Sequence, residues 1–319
     1  KNPDRFLPAK TPKGVGGFRY LMEKGAYFPQ AEYALLQNMT GPGHATLMMG
    51  AYPYLTGIPI NSWWDVNTNS LAYCAGDENF HWIGNEKAQP AGTSPKNLIG
   101  SSFGDELKNA FKPAKVVSVS LKDRSAIFMG GKRADVALWM DPARMQWTST
   151  AYYFKEGLPS WVNDENKLLA GKDKAVLKTA EGLSINAKMA TRATKELQLG
   201  KDSTPDLLAV SFSTHDYAGH AHGPDSPEMD AMTLADDREL SKFFNFLNAF
   251  VPGGLKEVTF ALTADHGVAP VPELAQASKL GGGRIDEVKL KESLNKELQK
   301  KLGDANAILQ IKEMNFYLD

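Results

Sequence analysis

The sequence predicts an α/β protein with a mostly parallel sheet covered by helices on both faces. Strand-like and helix-like segments alternate along its 319 residues, which is the order expected when helices connect parallel strands. Several apolar, strand-like segments also end in charged or imidazole side chains. In a parallel sheet the carboxyl ends of the strands share one edge, where ligands bind. The clearest case is the segment 260–263, which is soon followed by Asp265-His266-Gly267.

The composition excludes several kinds of partner. The chain has 36 basic and 37 acidic residues and a formal net charge of −1, so no overall field attracts nucleic acid or an anionic membrane. Any selectivity for anions must then come from local groups. No apolar run approaches the roughly 20 residues that a membrane-spanning helix needs. The one cysteine, Cys74, excludes an internal disulfide and has no His or Cys neighbour at metal-binding spacing, which predicts a structural role.

The first regular pattern is helix-like and covers residues 17–25. It comes without a preceding strand and without a signal peptide, so we expect the sequence to begin partway through a domain. Residues 38–50 follow after an irregular stretch and contain the turn signal Gly41-Pro42-Gly43. The apolar residues behind this turn predict a short helix that ends near residue 50.

Thr40 would then lie just before a helix N-terminus. Free backbone N–H groups and the helix dipole favour an anion at such a position. A simple threonine cap is the alternative, and His44 fits a satisfied, partly buried histidine. Farther on, the amide of Asn61 can donate to an oxygen of a bound anion, although a surface turn with packed tryptophans is equally compatible with this segment.

The next part of the chain predicts an insertion. Residues 66–101 are rich in Asn, Gly, Ser and Pro, which indicates a long excursion over the active edge of the sheet and not a separate domain. Short strand candidates at residues 135–139 and 148–154 fit the same insertion. We expect residues from about 62–166 to form a cap-like segment inside one domain that covers residues 1–319.

A helix near residues 102–111 is expected to lead into a strand at residues 114–121, which is rich in β-branched side chains. The charged segment 122–125 follows this strand directly. Side chains at positions i and i+2 of an extended chain point the same way, so Lys122 and Arg124 together suit a phosphate. A solvated, charged turn is the alternative for this segment.

Residues 178–199 predict a helix, and residues 205–214 predict an apolar strand of a covered parallel sheet. Asp216 and His220 follow that strand and are four residues apart, so one helical turn brings both side chains to one face. This spacing suits a metal ion. The alternative is a polar loop that carries three of the six histidines of the chain.

The last third of the chain predicts a long amphipathic helix at residues 227–251 and a strand at residues 258–263 in front of Asp265. Residues 281–283 are all glycine but lack the strand and helix of a phosphate-binding loop, so we interpret them as a linker or flap. Residues 286–302 predict a charged surface helix.

Three pairs of polar side chains follow predicted strands, and the shared edge of a parallel sheet would bring them together. Two acids, two histidines and a threonine hydroxyl offer oxygen and nitrogen ligands that suit zinc. Two adjacent zinc ions in turn suit an in-line displacement at phosphorus. The pairs are Lys122 and Arg124, Asp216 and His220, and Asp265 and His266.

With these motifs together, the chain resembles the alkaline phosphatase superfamily. Within it, the chain looks like the single-domain bacterial alkaline phosphatases with a threonine nucleophile, which are related to the type I phosphodiesterase/nucleotide pyrophosphatases. The resemblance runs along nearly the whole chain. It is carried by the nucleophile motif, two metal motifs and the phosphate-contacting residues. These are Thr40-Gly41-Pro42-Gly43-His44, Asp216-Tyr217-Ala218-Gly219-His220, Asp265-His266-Gly267, Asn61 and Lys122-Asp123-Arg124.

The resemblance implies a zinc-dependent phosphate monoester hydrolase, an alkaline phosphatase that acts on small-molecule phosphate monoesters through a phosphothreonine intermediate. Thr40 would be the nucleophile that attacks phosphorus. Asn61, Lys122 and Arg124 would hold the nonbridging oxygens, where a dianionic monoester carries one more charge than a diester. The resemblance also implies a periplasmic or secreted enzyme.

The same resemblance implies two zinc ions in the intact site. One would be held by Asp216 and His220. The other would be held by Asp265, His266 and Thr40 and would lower the pKa of the threonine hydroxyl. The family has two further ligands, an aspartate at the end of the first strand and a late histidine. No strand-like pattern precedes residue 17 and no histidine follows His266, so we expect the chain to be truncated at both ends and each zinc site to lack one ligand.

A phosphodiesterase or nucleotide pyrophosphatase of the same superfamily is the alternative. Lys122 and Arg124 disfavour it, because diesterases of the family need pocket space for a second ester group. A sulfatase is disfavoured because no Cys/Ser-x-Pro-x-Arg motif occurs, and a phosphoglycerate mutase would use a serine nucleophile. From another class, a non-catalytic module that binds phosphate or metal stays open.

Overall fold

The structure is a computed structural model that describes residues 16–88 and 90–319. Helices and strands alternate through most of this part of the chain. The helices are α1 (Gly17–Lys24), α2 (Thr40–Met49), α3 (Pro53–Thr56), α4 (Phe103–Ala110), α5 (Asp123–Gly130), α6 (Ser160–Leu169), α7 (Ala180–Glu196), α8 (Ser213–His222), α9 (Pro227–Phe250), α10 (Pro272–Ala277) and α11 (Glu287–Leu302). The strands are β1 (Ser62–Asp65), β2 (Ser70–Tyr73), β3 (Gly76–His81), β4 (Gly92–Thr93), β5 (Val116–Ser120), β6 (Val136–Asp141), β7 (Gln146–Thr148), β8 (Leu207–Ser211), β9 (Ile308–Lys312) and β10 (Asn315–Leu318).

A four-stranded sheet lies at the centre, in the order β7-β6-β5-β8. Strand β5 pairs in parallel with β6 on one side and with β8 on the other, while β7 is antiparallel to β6. Parallel neighbours need a crossover connection, and the helices that follow β5 and β6 supply it. The predicted α/β class and its mostly parallel sheet are therefore confirmed.

Side chains of β6 alternate between two hydrophobic clusters, one on each face of the sheet. Leu138 and Met140 share a cluster with Met189 of α7. Trp139, which lies between them in the strand, shares the other cluster with Phe128 of α5. This alternation is the period of two that a strand imposes on its side chains. Helices thus cover both faces of the sheet, as predicted.

The long helices that the sequence indicates are present at the expected places. They are α1, α4, α7, α9 and α11, for the predictions at residues 17–25, 102–111, 178–199, 227–251 and 286–302. Local polar residues define where two of them begin. Ser102 and Asp105 form a capping box at α4, and the Asp286 side chain accepts from two backbone N–H groups at the start of α11. Such caps stabilise N–H groups that have no acceptor inside the helix.

The strand predicted at residues 258–263 is wrong. This segment joins no ladder, and Leu262 is 53% exposed. Among the described strands, β8 pairs with β5 alone. An apolar sequence becomes a strand only where a neighbour offers backbone donors and acceptors, and here none does. The segment is instead held by side chains, with the Phe260 ring centroid 4.4 Å from that of Phe244 in α9.

The strand predicted at residues 148–154 is wrong beyond its first residue. Strand β7 ends at Thr148. The chain then turns, because the N–H groups of Tyr153 and Phe154 both donate to the Thr150 carbonyl, at 3.1 and 3.0 Å. These bonds close a tight turn and leave no extended ladder. The aromatic residues that suggested a strand pack in that turn.

The structure also contains small elements that the sequence did not indicate. Strands β1 and β2 form an antiparallel hairpin, and β9 and β10 form another near the end of the chain. The predicted inserted segment, residues 62–166, keeps the status of a prediction. Strands β5 and β6 lie within that range and belong to the central sheet. The described residues include no helix that combines the length and the apolar content of a membrane span.

Cys74 is part of the second core cluster, together with Trp139 and Phe128. Its side chain is fully buried, and burial raises the pKa of the thiol. A Cβ added to Gly41 would lie 3.1 Å from the Cys74 sulfur, so the thiol packs closely against the first turn of α2. The cysteine therefore fills space beside the helix that carries the candidate nucleophile.

Phe128→Ala tests the packing of α5 against the sheet. The Phe128 side chain is fully buried, and we expect its removal to lower the free energy of unfolding by about 3–5 kcal/mol. Phe103→Ala is the matched control, because Phe103 is 57% exposed at the start of α4. We expect that variant to stay within about 0.5 kcal/mol of the parent in chemical denaturation. Equal losses in both variants would contradict the described core.

Candidate active site

Helix α2 begins at Thr40, and Gly41, Pro42 and Gly43 form its first turn. The predicted Gly-Pro-Gly turn in front of the helix is therefore wrong. Pro42 is compatible with the helix because the first backbone N–H groups have no acceptor in it, so a missing N–H costs nothing there. The helix ends where predicted, at Gly50, whose φ of 60° is left-handed. Thr40 is 4% exposed and lies at the end where free N–H groups favour an anion.

Asn61 lies against this helix N-terminus. Its side-chain oxygen accepts a hydrogen bond from the Gly41 N–H at 2.8 Å. The oxygen is engaged in this bond, so the NH₂ group is the part of the amide that remains to donate to a ligand. The structure thus places the predicted phosphate-contacting amide beside the predicted nucleophile.

Lys122 is the N-cap residue of α5, and Arg124 lies in the first turn of that helix. The extended geometry predicted for this pair is therefore wrong. A helical turn rotates successive side chains by about 100°, so residues two apart do not share a direction. The two cations consequently enter different networks. Among the described residues, no hydrogen bond joins Arg124 to Lys122 or to Thr40.

The Lys122 ammonium is buried among candidate site residues. Its Nζ bonds to the carboxylate of Asp216, lies 3.5 Å from Thr40 Oγ1, and is 4.9 Å from the centroid of the Tyr217 ring. Burial lowers the pKa of the ammonium, and the Asp216 carboxylate opposes that change. The lysine thus connects α2 with α8.

Arg124 belongs to a buried network with Tyr73 and Asp123. Its Nη1 donates to the Tyr73 hydroxyl at 3.4 Å, and that hydroxyl donates to Asp123 Oδ1 at 2.8 Å. Burial raises the pKa of the Asp123 carboxyl and of the Tyr73 hydroxyl. Arg124 Nε and Asp123 Oδ2 have no partner in this network. Sequence reasoning missed Tyr73, because an aromatic residue at the end of a short hairpin carries no chemical signal of its own.

Helix α8 places Asp216 and His220 one turn apart, as the sequence predicts. Asp216 Oδ1 is 3.2 Å from His220 Nε2 and 3.4 Å from His266 Nε2, and this oxygen is buried without a hydrogen-bond partner among the described residues. Two ligand atoms that are each about 2.1 Å from a tetrahedral zinc ion lie about 3.4 Å apart. The separations of Asp216 from both imidazoles therefore fit a shared metal ion.

Asp265 and His266 lie in the irregular segment that replaces the predicted strand. Asp265 Oδ2 is 3.5 Å from His266 Nε2 and 3.1 Å from His44 Nδ1. Burial would raise the pKa of the Asp265 carboxyl, but the hydrogen bond from His44 and the other basic groups nearby, Lys122 among them, lower it to about 2. The carboxylate is thus held in its ionised form, which is the form that binds metal.

The tautomer of His266 also fits metal binding. Its Nδ1 is 2.8 Å from the Gly267 carbonyl, which can only accept a hydrogen bond. Nδ1 therefore carries the proton, and Nε2 keeps a lone pair toward Asp216 and Asp265. Metal-ligating histidines commonly donate their other N–H in this way. The lone pair on His266 Nε2 is therefore chemically suited to a zinc ion.

The complete ligand sets are not assembled. In the described ranges, 16–88 and 90–319, no three His, Cys, Asp or Glu side chains are arranged so that they could hold a metal ion. The fit is pairwise, and His266 is about as close to Asp216 as to Asp265. The separate roles predicted for the two ligand pairs stay predictions. The structure brings Thr40, Lys122, Asp216, His220, Asp265 and His266 into one cluster, with Asn61 beside it and Arg124 in an adjoining network.

Comparison with known proteins identifies a family whose profile matches this chain. Residues 7–307 match the profile of the family described as type I phosphodiesterase / nucleotide pyrophosphatase. The chain is 29% identical to alkaline phosphatase PafA of Elizabethkingia meningoseptica, across 96% of the chain and 65% of PafA. It is 30% identical to alkaline phosphatase PhoV of Synechococcus elongatus, across 85% of the chain and 58% of PhoV. The chain therefore spans less than two thirds of the length of these relatives.

Solved structures support the same relationship. The crystal structure of wild-type PafA superimposes with a TM-score of 0.86 at 28% sequence identity, and the match covers 96% of this chain and 68% of that one. A crystal structure of a PafA variant gives the same TM-score at 26% identity. That variant is substituted at a threonine, an asparagine, a lysine and an arginine.

Gly43→Ala tests how closely α2 approaches the segment that carries Asp265. A Cβ at position 43 would lie 2.4 Å from the Asp265 backbone oxygen, so helix and segment would have to separate. We expect the free energy of unfolding to fall by about 1–3 kcal/mol. Gly283→Ala is the control, since its added Cβ would meet no atom closer than 3.8 Å. We expect the control to change stability by less than about 0.5 kcal/mol in urea denaturation. A Gly43→Ala variant as stable as the parent would exclude the close approach.

Proposed function

Because the chain belongs to the type I phosphodiesterase / nucleotide pyrophosphatase family, we propose that it hydrolyses phosphate monoesters with Thr40 as the nucleophile. One observation carries this proposal: the Lys122 ammonium lies 3.5 Å from Thr40 Oγ1 at the N-terminus of α2. A hydroxyl, a cation and a helix N-terminus together suit a phosphate group. The likeness to alkaline phosphatases PafA and PhoV supports the same reaction.

In the proposed reaction, the phosphate dianion binds at the N-terminus of α2, where backbone N–H groups and the helix dipole attract it. Thr40 Oγ attacks phosphorus, the new bond gives a phosphothreonine, and the ester bond to the leaving alcohol breaks. Water then attacks the phosphothreonine, which releases inorganic phosphate and restores the threonine. The Thr40 hydroxyl loses a proton as it attacks, and the alcohol oxygen takes up a proton as it leaves, so the step balances.

The charged side chains would hold the phosphate oxygens during both steps. Lys122 and the NH₂ group of Asn61 lie beside Thr40 and offer donors to two nonbridging oxygens. Arg124 offers its unpaired Nε from the adjoining network. Each such donor is worth about 2–4 kcal/mol of transition-state stabilisation. The PafA variant carries substitutions at residues of the same four types, which supports the choice of these positions.

We infer that the reaction depends on zinc. Zinc supplies Lewis-acid chemistry that lowers the pKa of a bound hydroxyl and stabilises a leaving oxygen. The lone pair of His266 and the unpartnered oxygen of Asp216 support this inference. The residues proposed to hold the two ions are Asp216 and His220 for one, and Asp265, His266 and Thr40 for the other. A periplasmic or secreted location stays a prediction from the family resemblance.

A phosphodiesterase is the second candidate, because the matching family is itself described as type I phosphodiesterase. Such an enzyme would use the same threonine and the same metal ligands. It would have less use for buried cations at the nonbridging oxygens, because a diester carries one charge less than a dianionic monoester. Lys122 is 8% exposed and therefore favours the monoesterase.

Thr40→Ala should abolish turnover of an aryl phosphate monoester by the full-length, zinc-loaded protein. The reason is that this substitution removes the hydroxyl that lies 3.5 Å from Lys122 Nζ. Thr40→Ser keeps a hydroxyl and should retain measurable turnover. Steady-state kinetics together with zinc content of each variant measures this. Parental kcat/KM in Thr40→Ala would exclude Thr40 as the nucleophile.

The double variant Lys122→Ala/Arg124→Ala should discriminate between monoesterase and diesterase. We expect kcat/KM to fall by about 10²–10³-fold more for an aryl phosphate monoester than for the matching methyl diester, because donors to the additional charge are lost. Lys167→Ala is the control, since that lysine is 76% exposed and pairs with Asp164 on the surface. Equal losses on the two substrates would assign the pair a structural role.

A further inference from the structure

We propose that His44 is a positioning residue that orients the Asp265 carboxylate against the Thr40 backbone, with Ser211 as the hydrogen-bond donor to its other ring nitrogen. His44 acts through other residues and contacts no substrate in this proposal. The inference rests on the proposed function, because it concerns the arrangement of the nucleophile and of a zinc ligand in that site.

The imidazole of His44 connects three parts of the fold. It is 5% exposed. Its Nδ1 lies 2.8 Å from the Thr40 carbonyl oxygen and 3.1 Å from Asp265 Oδ2, and its Nε2 lies 3.0 Å from Ser211 Oγ. These partners belong to the start of α2, the irregular segment after α9 and the end of β8. One buried side chain therefore joins elements that are far apart in the sequence.

The partners determine where the protons of the imidazole lie. A carbonyl oxygen and an ionised carboxylate can only accept, so His44 Nδ1 must carry a proton and donate toward both. The Ser211 hydroxyl can donate, and it lies at Nε2, the nitrogen that keeps a lone pair in the neutral ring. The Thr40 carbonyl and the Asp265 carboxylate thus select this tautomer, and the Ser211 hydroxyl completes it by donating to Nε2.

The orientation of Asp265 depends on the hydrogen bond from His44 more than it would if Asp265 followed a strand of the sheet. The segment 258–263 forms no ladder, so no backbone bonding to a neighbouring strand fixes the direction of the aspartate. Its position depends instead on local contacts, which include the close approach at Gly43, the hydrogen bond from His44 to Oδ2, and the hydrogen bond from the His266 N–H to Oδ1 at 3.1 Å. The carbonyl of Ser211, in turn, accepts from Asn186 Nδ2 at 2.6 Å, which ties the end of β8 to α7.

The order of contacts from Ser211 through His44 to Asp265 is also the order found in a Ser-His-Asp triad. Two observations favour positioning over a serine nucleophile. His44 Nδ1 is shared with the Thr40 carbonyl, which uses the imidazole to hold the backbone of α2. The Lys122 ammonium, the cation that suits a phosphate, lies beside the Thr40 hydroxyl. A positioning role for His44 and a nucleophilic role for Ser211 predict opposite effects of Ser211→Ala on turnover.

The test compares substitutions of His44 that place an N–H group at different positions. An asparagine at position 44 can place an N–H near the Nδ1 position, a glutamine can place one near Nε2, and a leucine offers neither. We expect His44→Leu and His44→Gln to weaken zinc binding by about 10–100-fold, as the loss of a hydrogen bond to a ligand does. His44→Asn should keep zinc affinity within a few-fold of the parent. His81→Leu is the control, because His81 is exposed and hydrogen bonds only to the Ala91 carbonyl.

Zinc affinity is measured by competition with a chelator, and hydrogen exchange of residues 258–268 is followed in the metal-free protein. Neither readout depends on turnover, so failure of the proposed function and failure of this inference can be told apart. In the metal-free His44→Leu variant we expect faster exchange of the His266 N–H, because this group donates to Asp265 Oδ1 and depends on the orientation of that carboxylate. At saturating zinc we expect kcat to fall while KM stays near the parental value.

Equal zinc affinity in the asparagine, glutamine and leucine variants would overturn the proposal, because the position of the N–H would then be irrelevant. Unchanged exchange of the His266 N–H in His44→Leu would also overturn it, because the Asp265 carboxylate would then keep its orientation without His44. If His44→Leu does not fold, the comparison of His44→Asn with His44→Gln decides. Ser211→Ala should retain turnover, and loss of all turnover there would assign the nucleophile to Ser211 and contradict the positioning role.

Discussion

The parallel pairing of β5 with β8 is the constraint on which the candidate site depends. Ser120, the last residue of β5, is registered against Ser211, the last residue of β8, and the hydroxyls of Ser120 and Ser213 lie 2.9 Å apart. Because both strands end at the same level, α5 and α8 begin near each other. Lys122 and Asp216 can then form an ion pair inside the protein. A slip of one residue in this register would turn alternate side chains to the other face and separate the pair.

Each charged side chain of the candidate site would be costly to bury without a partner of opposite charge. Lys122 faces Asp216, and His44 faces Asp265, so each of these carboxylates has a basic partner where little water enters. Two other buried atoms, Asp216 Oδ1 and Arg124 Nε, have no hydrogen-bond partner in the part of the chain that the structure describes. An unsatisfied buried polar atom costs about 1–3 kcal/mol. A ligand that satisfies these atoms recovers that cost when it binds.

The sequence predicts best what depends on neighbours in the chain. Asp216 and His220 meet because four residues make one helical turn, and no other part of the protein is needed for that. Arg124 was misplaced because the strand before it ends one residue earlier than its pattern suggests, and a helix begins. The strand at residues 258–263 failed because strand formation requires a partner that the segment itself cannot supply. The contacts of His44 were unpredictable for a related reason, since they join residues that only the folded chain brings together.

The buried thiol of Cys74 beside α2 can report local opening of the structure. A thiolate is the form that reacts with alkylating reagents, and burial at Cys74 both raises the thiol pKa and blocks access. Cys74 can therefore react only when α2 and the β1–β2 hairpin move apart and expose the thiol. Since the chain has a single cysteine, the labelling rate reports the opening equilibrium of one defined region. The region concerned includes Gly41 and, next to it, the threonine on which the proposed chemistry depends.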